Sequence, residues 1–391
     1  MSGTVSSSST TCSNAIKEAL AQTHALRCLS CGKCTAVCPV AYRGSDFSPR
    51  ALVESVLAQA TLVNSQVAPA VWVCLTCGRC VERCNSGVDY PALIRELRAL
   101  TSGVSETPLC ARGAAVQSIS QIAIGRPQRK GWLGPGLRVA SRSDVLLFVG
   151  CLPYFDPLVR EVGARPLDIA RGTVKILNAL GIEPCLLPSE ACCGHDLLWA
   201  GDKAGFQRVA EHNLRQIRDS GVDVIVTPCP ECYQTLKVEY AQSLGGVGVE
   251  VLHLSEFLAK RIGELPIRCT QELVVTYHDP CRLGRFSGLY DQPRQILSAI
   301  PGLEIVEMSK SRAMAECCGA HAWNNCGALA KKTQLDILRE AESTGASFLV
   351  TACPKCEIHF NCATRRDDAD TTEAIRLRVR DLFSLVADAL A

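Results

Sequence analysis

Two runs of cysteines near the start of the chain constrain it more than any other feature. Cys28, Cys31, Cys34 and Cys38 are spaced C-x2-C-x2-C-x3-C with Pro39 next, and a near copy follows at Cys74, Cys77, Cys80 and Cys84. Three closely spaced thiolates wrap three corners of an iron–sulfur cube, and the x3 step throws the fourth onto a neighbouring cube. Cys28, Cys31, Cys34 and Cys84 are therefore expected to hold one [4Fe–4S] cluster, and Cys74, Cys77, Cys80 and Cys38 the other. Gly32 and Gly78 stand where the backbone turns tightly around an inorganic sulfur, a place a Cβ would obstruct. A pair of zinc ribbons would share the C-x2-C spacing, but a third Cys at x2 and a fourth at x3 suit tetrahedral zinc poorly. Cys84 is followed by Asn85 rather than proline, which alters only the exit of the loop.

The other cysteines point the same way. There are 24 in 391 residues, yet 47% of the chain is hydrophobic and its length is ample for a packed core without disulfide staples. Met1 to Thr11 is Ser/Thr-rich, with no basic n-region and no apolar h-region, so it reads as a disordered tail rather than a secretory signal. A cytoplasmic location follows as an expectation, with any membrane association made through a partner subunit. In a reducing compartment dense cysteines mean metal binding or redox chemistry before structural bridges. With 41 basic against 39 acidic residues and no block of like charge, the chain has no electrostatic footprint for nucleic acid. Apolar runs such as Val145 to Val149 are too short to span a bilayer.

From about Asp144 the chain aligns with itself. The first copy runs Val145-Leu-Leu-Phe-Val-Gly-Cys151, a helical stretch around Ala164 to Leu180, Ala191-Cys192-Cys193-Gly194, a second helix, and Val224-Ile-Val-Thr-Pro-Cys229-Pro-Glu-Cys232. The second runs Val274-Val-Thr-Tyr-His-Asp-Pro-Cys281, a helix, Glu316-Cys317-Cys318-Gly319, another helix, and Phe348-Leu-Val-Thr-Ala-Cys353-Pro-Lys-Cys356. From the second Cys of the pair to the next cysteine is 36 positions in one copy and 35 in the other, so a duplicated fold is expected. Short β-branched runs alternating with amphipathic helices predict α/β units around parallel sheets, with Cys151, Cys229, Cys281 and Cys353 at the carboxyl ends of strands. Five thiolates per copy are one too many for a cube or a zinc ion, and adjacent cysteines strain a small tetrahedral site. An enlarged or opened iron–sulfur cluster fits better, with zinc and thioredoxin-like dithiols at Cys229/Cys232 and Cys353/Cys356 as the alternatives.

These two motifs resemble the CCG cysteine-rich domains of the heterodisulfide reductase family, C-x31–39-C-C-x35–36-C-x2-C, and their fusion behind a two-cluster ferredoxin module resembles that family's D-type catalytic subunit. The first gap, 40 residues, is one beyond that range, and the second pair-to-Cys gap, 34 residues, is one short of it. The resemblance implies two cubane and two noncubane [4Fe–4S] clusters. One noncubane cluster would be on Cys151, Cys192, Cys193, Cys229 and Cys232, and the other, as reaction centre, on Cys281, Cys317, Cys318, Cys353 and Cys356. Zinc in one of the two motifs stays open. It further implies an iron–sulfur subunit of an anaerobic oxidoreductase complex that cleaves or forms a thiol-derived disulfide. The alternative is an electron conduit of the glycolate oxidase, glycerol-3-phosphate dehydrogenase or class II benzoyl-CoA reductase type. No G-x-G-x-x-G or P-loop is present, so electrons are expected from a flavin-containing or cytochrome subunit.

His195, His278 and His321 each lie within three residues of a motif cysteine and are candidates to relay protons, or to hydrogen-bond sulfur or backbone. Arg50, in Ser48-Pro49-Arg50 at a helix start, is a candidate partner contact or an exposed arginine. Cys12, Cys110, Cys185, Cys269, Cys326 and Cys362 fall outside every motif and read as small buried hydrophobes. The expected fold is an α-helical two-cluster ferredoxin module followed by a duplicated α/β domain with parallel sheets. Its expected boundaries are a disordered tail at 1–20, the ferredoxin domain at 21–105, a linker at 106–143, and CCG domains at 144–265 and 266–391.

Overall fold

The computed structural model describes residues 6–44, 46–59, 67–101, 118–119, 124, 130–268, 272–320, 327–365 and 375–391. Most of the expected linker, His321 and the cysteines at 110, 269 and 326 lie outside the described residues. The chain forms two compact units, one of residues 1–115, 196–204 and 319–333, the other of 116–195, 205–318 and 334–391. No described helix is long and apolar enough to cross a membrane.

Among the described residues the smaller unit has helices and no strand. Helix α1 (Ser6–Gln22) runs through the segment expected to be a disordered tail. The reason is its second half, where Ile16, Ala19 and Leu20 fall on one face at i, i+3 and i+4 and are buried. That face packs on α4 (Tyr90–Thr101), so the stripe outweighs the Ser/Thr-rich start. Helix α2 (Pro49–Gln59) begins where Ser48-Pro49 predicted, with the Ser48 hydroxyl accepting from the Ala51 N–H at 3.2 Å. Helix α3 (Val67–Val73) leads directly into the second cysteine run.

The larger unit contains two parallel sheets. The first has strand order β1 (Val145–Leu147), β2 (Val224–Thr227), β3 (Glu250–His253), with Val145 opposite Val224 and Val224 opposite Glu250. The second has order β5 (Leu303–Ile305), β4 (Leu273–His278), β6 (Phe348–Thr351), β7 (Arg378–Asp381). In the first sheet an isolated parallel bridge from Leu146 to Cys185 stands where β5 stands in the second. The duplication read from the cysteines is thus a duplication of topology. Strand interiors such as Phe348–Thr351 are fully buried, which is why they read as continuous apolar runs rather than alternations.

The copies exchange helices. Helix α8 (Leu254–Ala259), after the last strand of the first copy, packs on α9 (Asp291–Ser298) of the second. Helix α11 (Leu382–Ala389), after the last strand of the second copy, packs on α6 (Pro166–Ala179) of the first. At that crossing a Cβ on Gly172 would come within 3.2 Å of Ala387 Cβ and of the Phe383 carbonyl oxygen, and Lys175 Nζ donates to the Ala387 carbonyl at 2.7 Å.

The two exchanged helices carry equivalent caps of different chemistry. Asp381 Oδ1 accepts from the N–H groups of Phe383 and Ser384 at 2.8 and 3.1 Å. His253 Nδ1 accepts from Ser255 N at 3.3 Å, and Glu256 closes the capping box on the His253 N–H at 3.2 Å. Both caps are fully buried, and burial pushes Asp381 up to about 7 and His253 down to about 3. As pH falls below about 6.5 the unfolded chain takes up a proton that folded His253 refuses, so its contribution is intact above 6.5 and is lost on the way down. By pH 5 this amounts to about 2 kcal/mol. Thermal melts of His253→Asn, which keeps a cap acceptor, are expected to fall less steeply between pH 7 and 5 than those of the wild type. Equal slopes would contradict the assignment.

Candidate functional site

The smaller unit brings Cys34 and Cys38 of the first run close to Cys77 and Cys80 of the second. The charge of Cys77 is felt at Cys38, and those of Cys77, Cys74 and Cys38 at Cys80, so the fourth cysteine of the first run sits with the second run. Cys28 is likewise felt at Cys34. Both glycines lie in the left-handed region, Gly32 at φ 77° and Gly78 at φ 76°. Burial pushes Cys38 up to about 11 and Cys74 up to about 12, so without a cation these thiols hold their protons. The second run hangs on Arg98 of α4, a fully buried arginine. Its guanidinium donates to the Val71 carbonyl from Nε and Nη2 at 3.0 and 2.7 Å, to the Cys74 carbonyl at 2.8 Å and to the Trp199 carbonyl at 2.9 Å.

In the larger unit each repeat assembles five sulfurs in the same order of contact. In the first, Cys151 hydrogen-bonds Cys192, Cys192 bonds Cys193, Cys193 bonds Cys232 and Cys232 bonds Cys229. In the second, Cys281 bonds Cys317, Cys317 bonds Cys318, Cys356 donates to Cys318 at 3.1 Å, and Cys356 bonds Cys353. The placement follows from the strands. Cys151, Cys229, Cys281 and Cys353 each lie just beyond the carboxyl end of β1, β2, β4 or β6, and the Cys-Cys pairs come from the loops between. Eight of the ten are buried, with Cys151 and Cys281 half-buried. Hydrogen bonds from neighbouring sulfurs, and then burial, push Cys151, Cys193, Cys232, Cys281 and Cys356 well up, while hydrogen bonds from Cys317 and then Cys356 pull Cys318 down to about 6. Ten soft donors packed this densely form a set that iron–sulfur clusters fit and that carboxylate-seeking metals do not.

The family comparisons agree with that geometry. A cysteine-rich domain, CCG, matches residues 145–237 and 275–361, and a 4Fe-4S dicluster domain matches residues 24–88. The D-type subunit of the dihydromethanophenazine:CoB–CoM heterodisulfide reductase of Methanosarcina acetivorans is 32% identical over 330 residues, covering 81% of this chain and 77% of that protein. The chain belongs to the D-type subunits of the heterodisulfide reductase family. A subunit of the fumarate reductase (CoM/CoB) of Methanothermobacter marburgensis is 29% identical over 87% of this chain and 68% of its own length. EtfAB:quinone oxidoreductase of Syntrophomonas wolfei is 28% identical over 75% of this chain and 47% of its own length.

The histidines divide. His278 is buried against Phe360, its Nε2 3.0 Å from the Glu316 carbonyl oxygen, and burial lowers it to about 4, so it stays neutral and ties β4 to the loop carrying Cys317. His195 faces charged side chains. Its Nδ1 lies 3.4 Å from Glu231 Oε2 and its Nε2 accepts from Arg282 Nε at 3.1 Å. Arg50 is exposed and pairs loosely with Glu54 at 3.9 Å, the ordinary helix-start alternative. Cys185 is buried as expected, whereas Cys362 is half-buried. Arg98, Glu231, Arg282 and Lys355 escaped the sequence reading. The last three are adjacent in sequence to motif cysteines, and that adjacency is the signal that could have found them. Arg98 offered none beyond its place in an amphipathic helix.

Proposed function

We propose that the chain is the iron–sulfur subunit of an oxidoreductase complex. In this reading Cys28, Cys31, Cys34 and Cys84 hold one cubane cluster, and Cys74, Cys77, Cys80 and Cys38 hold the other. The two five-cysteine sets hold noncubane [4Fe–4S] clusters, on boundaries of 21–105 for the cubane module, 144–265 and 266–391 for the two CCG domains. The observation that carries it is the identical order of five sulfur contacts in the two repeats. Bound clusters supply one-electron transfer at each set. The chain's own residues hold the ten sulfurs away from water, orient the loops through the strand ends, and keep His278 neutral as a brace.

The reaction this arrangement serves best is reductive cleavage of a thiol-derived disulfide, or its reverse: one S–S bond plus two electrons and two protons gives two thiols. Electrons come from a flavin-containing or cytochrome subunit in this reading; two of the relatives are named as subunits of reductases. A second reading, an electron conduit to or from a quinone-linked partner, is favoured by the likeness to EtfAB:quinone oxidoreductase. Anaerobically purified protein is expected to contain about sixteen iron atoms and as much acid-labile sulfide. About eight would leave the paired sets to zinc or bare thiols and sink the proposal. Chemically reduced protein is then expected to release thiols from a low-molecular-weight heterodisulfide; unchanged disulfide with full iron selects the conduit.

A further inference from the structure

Where the two five-cysteine sets face one another, the repeats depart from symmetry. The residue before the last cysteine is Glu231 in Cys229-Pro-Glu-Cys232 and Lys355 in Cys353-Pro-Lys-Cys356. These two side chains pair at 2.6 Å, Lys355 being 5% exposed and Glu231 14% exposed. The same Glu231 oxygen lies 3.4 Å from His195, the residue after Cys192-Cys193-Gly194, and His195 in turn accepts from Arg282, the residue after Cys281. Lys355 and Arg282 belong to the second repeat, Glu231 and His195 to the first. Every member is within two residues of a motif cysteine. The charges of Glu231 and Cys229 are both felt at Cys353, so this chain of side chains lies at the meeting of the two sets.

Nothing in the cysteine motif requires it. The position after Cys-Cys-Gly is Ala320 in the second repeat, and the position after Cys151 is Leu152 in the first, neither of which could take part. A faithful duplication would oppose glutamate to glutamate or lysine to lysine, and two like charges at this depth would drive the loops apart. An exposed pair would matter little, but here each charge has lost most of its water and lies against the other.

We propose that Lys355, Glu231, His195 and Arg282 are positioning residues, a bridge between the two repeats that clamps the two cysteine sets at one fixed separation so that their clusters behave as a single coupled pair. This rests on the reading that both sets carry iron–sulfur clusters. The bridge acts through geometry and fixed charge and needs no bond to a sulfur.

The test is a cycle of Lys355→Met, Glu231→Gln and the double variant in the purified full-length holoprotein, with Lys355→Arg as the conservative control. Three quantities are read: iron per chain, the unfolding midpoint, and the magnetic coupling between the two noncubane clusters in EPR of the fully reduced protein. Lys355→Met leaves Glu231, largely withdrawn from water, without that cation, and is expected to lower the midpoint by roughly 5–10 °C and to lose the wild-type coupling pattern. Adding Glu231→Gln is expected to recover much of the midpoint, since the stranded charge is gone, and Lys355→Arg to keep the coupling. Wild-type coupling and midpoint in Lys355→Met, or effects of the two single changes that simply add, would overturn the bridge. Should wild-type protein hold only about eight iron atoms, the cluster reading fails by itself; the midpoint cycle still decides the clamp, additivity again overturning it.

Discussion

Replacing Arg98 with methionine is expected to destabilise the smaller unit by about 4 kcal/mol or more and to remove about four iron atoms from the protein. The guanidinium makes four hydrogen bonds to three carbonyls, those of Val71, Cys74 and Trp199, from a position with no exposure to solvent. Val71 belongs to the last turn of α3, whose carbonyls have no partner within the helix, so Arg98 serves as a C-terminal cap delivered from another element. Each hydrogen bond to a charged donor is worth about 1.5–3 kcal/mol, and the abandoned carbonyls keep their desolvation cost. Methionine retains the apolar stem beside Trp72, over which the guanidinium sits at 5.2 Å, and so isolates the loss of donors from loss of volume. Because one of those carbonyls is that of Cys74, the second cysteine run should lose its shape first. Iron analysis and calorimetry check this; full iron and an unchanged midpoint in Arg98→Met would show the second run to be held elsewhere.

The glycine of the Cys-Cys-Gly motif is expected to tolerate alanine in one repeat and not in the other. Gly194 has φ 89°, and a Cβ there would come within 2.8 Å of both Phe206 Cδ2 and Val209 Cγ2 on α7 (Lys203–Ser220). Gly319 has φ 80°, and among the described residues its nearest neighbours are atoms of Ala330 at 3.6 and 3.7 Å, ordinary van der Waals contact. Left-handed backbone costs alanine about 1–2 kcal/mol at either site. Gly194→Ala adds overpacking of about 1–3 kcal/mol against a buried aromatic ring, for about 2–5 kcal/mol in all. The Gly194 N–H also lies 3.4 Å from Cys192 Sγ, so movement of that loop carries the sulfurs with it. Gly194→Ala should therefore lose the iron of the first set and melt several degrees lower, while Gly319→Ala keeps its iron. Equal losses in both variants would mean that the strained backbone, and not the packing, decides.

Cluster chemistry was legible in the chain because it depends on residue type at fixed short spacing, and loops a few residues long carry that information locally. The C-x2-C-x2-C-x3-C runs and the two five-cysteine patterns needed no tertiary knowledge, and the topological repeat followed from the near-equal gaps. Helix α1 was missed because its first ten residues are polar and small, and only Ile16, Ala19 and Leu20, buried on α4, outweigh them. Arg98 looked like any arginine of an amphipathic helix; its burial depends on three carbonyls distant in sequence. Glu231 and Lys355 sat inside recognised motifs without standing out, since the variable position of a C-P-x-C loop says nothing about what it will face.

The division has a single physical cause. Sequence alone marked two runs of four cysteines and two sets of five as the candidate metal ligands, because ligand spacing is set by the covalent chain. Tertiary structure decided that the last helix of each repeat packs on a helix near the start of the other, and that an acid of one repeat meets a base of its twin. It also decided that a buried guanidinium ties the second cysteine run to α3. Those outcomes depend on which surfaces lose water together, and burial is a property of the folded chain that no local spacing encodes.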